Sequence, residues 1–600
     1  MVQGKIAGVV LAALMVTGVG GAVAQMGMRD MGMQMKEGPA PDKLPVPVKM
    51  VGIGNSYLAI KASPDAQAWF EQGLNLLHDF WDYESAKAFE QAARVDSNCA
   101  MCYWGLYQAL MMRSGEGNAY TDQALAAAVR LKDHASKEGR LYIDAAVASD
   151  AADKAATGGG REDNAKEVAI WRQVVQKYPK DPQAKIFLAG SLRDGYDDAG
   201  APRKGTAEAI ALLQEVLKAK PDDSAANHYW IHAVEASAHP EQALKSATVL
   251  ASLAPASGHM VHMPGHIFYR VGDYAQAEKW FAASTAVDEA YMHDQHVSVD
   301  DDWNYIHNLM YGVANLMEEG KLQEAVVLSN KLAGGRGELA ATLYTGSPRD
   351  GIARLDEQLP VAMRLGDWAA VEKMAEASKP EARLQNLNLL AGQLKEYASG
   401  MLAAQNGDLS GAQEASLRLD AGLWRMSQRA KDAAKKKEPA TGPVKVVVMP
   451  DAMVKPLLGN LSVMSLELRG AILAGQKHLP EAKASFAQAA KEEKQLGYRE
   501  PPIFIRPVGE TEGAVLMQAG DYAGAHEAYA SALAERPDSG FSLYGMARSS
   551  EAASDAVKAR AEYAKFIEAW KNCDAGLPEM DHAREYVQGE KVLASTGAGK

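Results

Sequence analysis

Cysteine is nearly absent from this 600-residue chain: there are three, too few for a disulfide framework. Cys99 and Cys102 form the single Cys-x-x-Cys, and Tyr103 follows where a covalently attached haem would need histidine. A zinc site built on that pair would want a second pair, and none exists. A local disulfide between Cys99 and Cys102, or two buried thiols, is what remains, and Cys573 stands alone. Aromatic residues are sparse at 7%, and Gly and Pro recur only at wide intervals, which favours helix throughout. Basic residues are outnumbered, 63 Lys and Arg against 76 Asp and Glu. The net charge of −13 argues against nucleic acid or anionic lipid as a general partner. Past the first 24 residues, no stretch reads as apolar enough to cross a bilayer.

The first 24 residues read as an export signal. Lys5 supplies the positive start, residues 6–15 an apolar run, and Ala22-Val23-Ala24 a small-residue cleavage site. An uncleaved anchor is the alternative. Cleavage leaves no stable membrane span and places the protein in the periplasm or outside the cell. Residues 25–60 read as a Met- and Pro-rich linker. Met26, Met28, Met31, Met33 and Met35 alternate with polar residues and glycine, a pattern of thioethers that suits copper(I) or a flexible leader.

From residue 61 a repeat of about 34 residues takes over. Trp69, Gly73, Ser85, Phe89 and Ala92 fall at positions 4, 8, 20, 24 and 27 of the unit. The phase returns with Ala243 and Pro255, with Gly265, Tyr274, Ala277 and Phe281, and late in the chain with Gly513, Tyr522, Ala525 and Tyr529. This predicts an all-α solenoid of the tetratricopeptide (TPR) type, a right-handed superhelix of antiparallel helix pairs in two lobes. Repeats at 61–345 form the first lobe, 346–429 add further helices, 430–455 make a basic, Pro-containing linker, and 456–600 form the second lobe. The rhythm also breaks at a polar loop, 194–205, and at an insert, 291–305.

Histidine is not scarce everywhere. Residues 224–308 hold nine of the fourteen, where an even scatter would place about two. In TPR units, positions 2, 5, 9, 12 and 13 of the first helix line the concave groove. Counting from Ser224, His228, His232 and Glu235 take positions 5, 9 and 12. Counting from Gly258, His259, His262 and His266 take 2, 5 and 9, with Tyr269 and Arg270 at 12 and 13. Counting from Ile306, His307 takes position 2. The pairs His228/His232 and His262/His266 present two imidazoles each on one helix face. These six histidines and Glu235 are the candidate metal ligands. Copper comes first because the Met-rich leader accompanies them, with zinc or iron as alternatives. Free imidazole titrates near ~6.5, so metal affinity is expected to fall as pH drops through that range.

Several sequence blocks carry a resemblance. They are 98–105 (Asn98-Cys99-Ala100-Met101-Cys102-Tyr103-Trp104-Gly105), Asn227-His228 with 231–237, 262–267, His307-Asn308, and Glu500-Pro501-Pro502 with Pro507-Val508. The chain resembles a family of exported bacterial tetratricopeptide-repeat proteins with histidine-rich groove motifs. The resemblance implies that the inner histidines and the Pro-Pro segment share one site; it implies no reaction. Where the family has Asn-His at the first helix-pair turn, this chain has Trp81-Asp82, and Met111–Asn118 replaces a Gly-Pro-Asn stretch. Those departures imply a different ligand preference.

Three functions follow. The protein binds a metal in its groove; or it is a metalloenzyme using that centre, with Glu235, Tyr269, Tyr291 or Tyr305 handling protons; or it is a metal-free scaffold for a partner protein. The groove would take a small molecule or peptide, with Tyr269, Arg270, Glu500 and Arg506 as further lining.

Overall fold

The computed structural model describes residues 40–114, 119–155, 164–197, 200–335, 348–382, 384–435, 454–497 and 500–597. The export signal, the Met-rich stretch and Tyr498 lie outside them. Among the described residues there are 26 α-helices and no strand. Among the described residues consecutive helices pack against one another, which makes a TPR-like α-solenoid.

The local reason for the pairing is visible at each unit. Pro64–His78 starts where the Ser63 side chain accepts from the Ala66 N–H, with Pro64 in the first turn. Its partner is Asp82–Val95. Phe89 of the second helix wedges against Gly73 and Gly105, where a Cβ would come within 2.8 and 2.2 Å of the ring. The same glycine–aromatic contact recurs at Gly265 with Phe281, Gly470 with Phe486, and Gly513 with Tyr529. A small residue at the crossing lets an aromatic from the neighbouring helix fill the core. Gly265→Ala is therefore expected to cost about 1–3 kcal/mol by overpacking. Gly392→Ala, in an exposed helix position with nothing within 4 Å, is expected to stabilise by up to about 1 kcal/mol. Urea midpoints of the two variants check the contrast, and equal shifts would contradict it.

Residues 40–60 are not a free linker. They dock as a strap across the first repeat and the histidine repeat, with the Asn55 N–H donating to Ser224 Oγ at 3.0 Å and the Ser56 N–H to Asn75 Oδ1 at 2.7 Å. Gly54, at φ +108°, is the residue that allows this approach; a Cβ there would sit 2.7 Å from Ser224 Oγ. The insert at 291–305 is also reassigned. Its first five residues extend one helix, Tyr274–Gln295, its last three open the next at Trp303, and the short connection between them holds a 3-10 turn, Val299–Asp301.

Cys99 and Cys102 are joined by a disulfide. The 19-residue stretch Leu457–Gly475 is long and apolar enough to span a bilayer, contrary to the sequence expectation. Two thirds of it is buried in the protein, so its apolarity is that of a core helix. One apolar cluster draws members from both sides of residues 436–453, Leu419 and Met426 with Leu457 and Leu461, so the helices before and after them share a core.

The array closes on itself. Glu318, the last residue of Trp303–Glu318, meets Arg364 and Arg536, and Arg364 also meets Glu510. All four side chains are buried. The Trp570 indole N–H donates to the Glu318 carbonyl at 2.8 Å, and the Tyr274 hydroxyl to the Pro537 carbonyl at 2.8 Å. Contacts over more than 200 residues of sequence thus hold the C-terminal repeats against the histidine repeats.

Candidate metal centre

Three helices carry the site. Ser224–Val234 is capped by Asp223, which accepts from the Ala226 N–H, and Gly258–Arg270 by Ser257, which accepts from the Met260 N–H. Trp303–Glu318 follows Asp302. Counted from Trp303, the third helix places Asn304, His307 and Tyr311 at positions 2, 5 and 9, the positions of His259, His262 and His266 in the unit before. The register based on Ile306 was three residues late.

All six histidines are brought together, and they are interior rather than groove-facing: each is 0–8% exposed. Three features cover them. Phe80, at φ +57° in the first helix-pair turn, packs 4.6 Å from the His228 ring and 5.5 Å from those of His232 and His259. Trp303 lies 5.0 Å from His259 and donates its indole N–H to the Phe80 carbonyl. Glu500 lies over His232 and His266, with its carboxylate oxygens 3.9 and 3.5 Å from their Nδ1 atoms.

The ligand atoms fall into two trios. One ring nitrogen from each of His228, His232 and His259 lies within 4.8 Å of the others, and the same holds for His262, His266 and His307. The hydrogen bonds decide which nitrogens face inward. His228 Nδ1 meets the His78 carbonyl at 2.6 Å, and His259 Nδ1 and His262 Nδ1 meet Asn304 Oδ1 and Asn308 Oδ1 at 3.1 and 2.7 Å. The amide orientations are fixed by the other side of the network. Asn304 Nδ2 donates to Asp288 and Ser284, and Asn308 Nδ2 to the Phe281 carbonyl and Thr285. His232 and His266 each place Nδ1 2.7 Å from one oxygen of Glu235. Every partner is an oxygen acceptor, so in these five rings Nδ1 carries the proton and Nε2 presents a lone pair.

Those lone pairs converge. His228 Nε2 faces His259 Nε2 at 3.1 Å, and His262 Nε2 faces His266 Nε2 at 2.5 Å. His232 Nε2 is buried with no hydrogen-bond partner. Two imidazole nitrogens on one tetrahedral metal, each about 2.0–2.1 Å from it, sit roughly 3.3 Å apart. The first pair is near that value, and the second needs to open by less than about 1 Å.

His232, Glu235, His266 and Glu500 form another potential ligand group. Its 2.7 Å Nδ1–oxygen distances are those of hydrogen bonds, with no space for an ion between. Glu235 is thus an orienting carboxylate linking one trio to the other. Burial alone would raise its carboxyl, but His232 and His266 outweigh burial and hold it well below the usual range. Burial, reinforced by neighbouring imidazoles, pushes His228, His259, His262 and His307 well below the ordinary histidine value. Proton competition for these rings therefore sets in below the free-imidazole range expected from sequence.

The other candidates are placed elsewhere. Tyr291 donates to Glu84 at 2.7 Å and Tyr305 to Glu289 at 2.9 Å, both facing away from the trios. The Tyr269 ring packs on Tyr274 and Tyr311, one layer beyond the histidines. Arg270 is a strut, donating to the carbonyls of Glu235 and Ser237 at 2.9 and 3.2 Å. Arg506 donates to the Arg364 carbonyl at 2.9 Å, not to the site. Glu500 does reach it, with Oε2 3.5 Å from His266 Nδ1. Its loop is held by Arg349, which donates to the Pro502 and Phe504 carbonyls, and by Arg536, which donates to those of Phe504 and Ile505. His293 is exposed against Asp294.

Sequence reasoning missed four contributors: the His78 carbonyl, Asn304, Tyr311 (4.7 Å from the His266 ring) and Arg193. The register counted from Trp303 would have found Asn304 and Tyr311. The other two sit at the C-terminal ends of helices, one as a backbone carbonyl, where side-chain periodicity gives no signal.

No family model and no curated protein matches the chain. Among solved structures it is similar to yeast Tom70 at 11% identity, over 88% of this chain and 96% of that one, with a TM-score of 0.29. It is also similar to the human IFIT1 dimer with m7Gppp-AAAA at 11% identity, over 82% and 94%, with a TM-score of 0.30. At such scores neither carries an argument, and the solenoid assignment rests on the helix pairing itself.

Proposed function

We propose that this is an exported metalloprotein whose repeat scaffold encloses a two-metal centre, one ion on His228, His232 and His259 and one on His262, His266 and His307. The carrying observation is the pair of facing Nε2 lone pairs, at 3.1 and 2.5 Å, in rings whose Nδ1 protons are committed outward. Two bare acceptors at such distances repel, and a cation between them removes the conflict. Protons are disfavoured there by burial and by the neighbouring imidazoles. All-nitrogen trios suit copper, zinc or iron over magnesium or calcium, and copper(II) binds such donors most tightly among the divalent ions.

A metalloenzyme is the second reading, favoured by the ligand count. Three protein nitrogens per ion leave a position for water, dioxygen or substrate. A peptide scaffold using these residues is disfavoured, since a docked peptide would need them at the surface.

Metal analysis of untagged protein, stripped and reloaded with copper(II), zinc(II) or iron(II), tests the proposal. Wild type is expected to hold two ions per chain, and His259→Ala and His307→Ala one tight ion each, with far-UV circular dichroism unchanged. Wild type that retains none of the three metals would overturn it, as would His259→Ala/His307→Ala retaining two.

A further inference from the structure

Arg193 is a buried charged group near the centre whose chemistry the trios do not use. It ends the helix Pro182–Leu192 and begins the loop 194–205. It is 6% exposed, and none of its three guanidinium nitrogens has a hydrogen-bond partner among the described residues. A guanidinium keeps its proton in proteins, so this is a buried cation with five unanswered N–H donors. Burying such a group unpaired is costly, and the usual remedy is a bidentate anion.

The loop fixes where that cation sits. The Asp194 and Gly195 N–H groups donate to Thr206 Oγ1 at 3.1 and 2.8 Å, while the Asp194 carboxylate accepts from the Gly205 and Thr206 N–H groups. The Tyr196 hydroxyl donates to the Ala233 carbonyl, two residues before Glu235. The Arg193 guanidinium lies within electrostatic reach of Tyr229, Glu235, Glu500 and His232. Burial, the main influence on it, lowers its affinity for a proton, and the nearby anions only partly compensate.

Charge explains why neither carboxylate serves as its partner. Glu235 has both oxygens committed to His232 and His266. Glu500 is turned to the Nδ1 atoms of the same two rings, at 3.9 and 3.5 Å. One cation and two anions leave this corner at −1. Two divalent ions in the trios would bring it to about +3, a field that favours an incoming anion. Glu500 is also the least buried member of the cluster, with 16% of its side chain exposed, so this edge is the way in.

We infer that Arg193 is the anchor of a substrate or ligand subsite for a small carboxylic acid, which it holds by its carboxylate at the edge of the histidine centre beside Glu500. The inference rests on the two-metal reading. A planar guanidinium matches a carboxylate in a fork-to-fork pair, and the interior position excludes a macromolecule. The remainder of the acid would lie toward His232, whose Nε2 belongs to the first trio.

Titration calorimetry of metal-loaded protein with succinate, a small dicarboxylate, tests this, with the metal content of each sample measured in parallel. Wild type is expected to bind succinate saturably. Arg193→Met is expected to weaken binding at least 10-fold with both ions retained. Arg193→Lys, which keeps the charge but loses the fork, should fall between them and serves if the methionine variant does not fold. Arg172→Met, a surface control paired with Glu208, should match wild type. Two bound ions without succinate binding would overturn the subsite alone, and so would binding that is equal in wild type and the Arg193 variants. A chain that loads no metal would overturn both readings.

Discussion

Arg364→Met is expected to destabilise the protein by about 3–5 kcal/mol, the cost of removing one member of a buried ion network. Arg364 is fully buried, with Nη2 2.9 Å from Glu318 Oε2 and 3.0 Å from Glu510 Oε1. Ser539 and Ser542 donate to the same carboxylates at 2.6 and 2.8 Å, so every charge is hydrogen-bonded as well as paired. The magnitude has a second basis in the titration of Glu318. Burial pushes its carboxyl up, yet Arg364 and Arg536 outweigh burial and pull it from 4.5 to about 2. That shift is worth about 3 kcal/mol above pH 4.5, and it is lost as the pH falls toward 2. Urea unfolding at pH 7.5 measures the loss. Adding Glu510→Gln to Arg364→Met should recover part of it, because an unpaired buried carboxylate has been neutralised. A single variant within 1 kcal/mol of wild type would show that the network contributes little. Metal affinity should fall with it, because Glu318 ends the helix that carries Asn304 and His307 and Arg536 holds the Glu500 loop.

The helical repeat was legible because its physics is local. A glycine eight positions into one helix and an aromatic sixteen later meet wherever the pair forms, as Gly265 and Phe281 do. The inner histidines were legible for the same reason, since positions 2, 5 and 9 of a first helix share one face. The third helix escaped because its true start, Trp303, lies inside what reads as an insert. Burial of the site could not be read from periodicity either. It depends on the turn at Phe80, on Trp303 and on Glu500, which arrive from parts of the chain more than 400 residues apart. Tyr291 and Tyr305 were attractive by proximity in sequence. They point away because Glu84 and Glu289 offer acceptors on the other side of their helices. Arg193 left no sequence signal, since a lone arginine after a helix is ordinarily a solvated cap.

Glu235→Gln is expected to weaken metal binding about 10–100-fold at one trio, the range seen when a group orienting a histidine ligand is replaced. The wild-type carboxylate offers two acceptor oxygens, one 2.7 Å from His232 Nδ1 and one 2.7 Å from His266 Nδ1. A glutamine of the same shape has one acceptor and one donor. Whichever ring meets the amide NH₂ must present a bare Nδ1 and move its proton to Nε2, the atom that faces the ion. That ring then stops being a ligand, while the other keeps its tautomer. The variant should therefore retain one tight ion and one weak ion, which competition with a chromogenic chelator resolves as two phases. Glu235→Ala releases both rings and should weaken both sites. Glu235→Asp keeps two acceptors but shortens the reach by one methylene, so both sites should loosen evenly. If Glu235→Gln bound two ions as tightly as wild type, the carboxylate would not be setting the tautomers. If it lost all metal at once, Glu235 would be acting as a ligand rather than an orienting group.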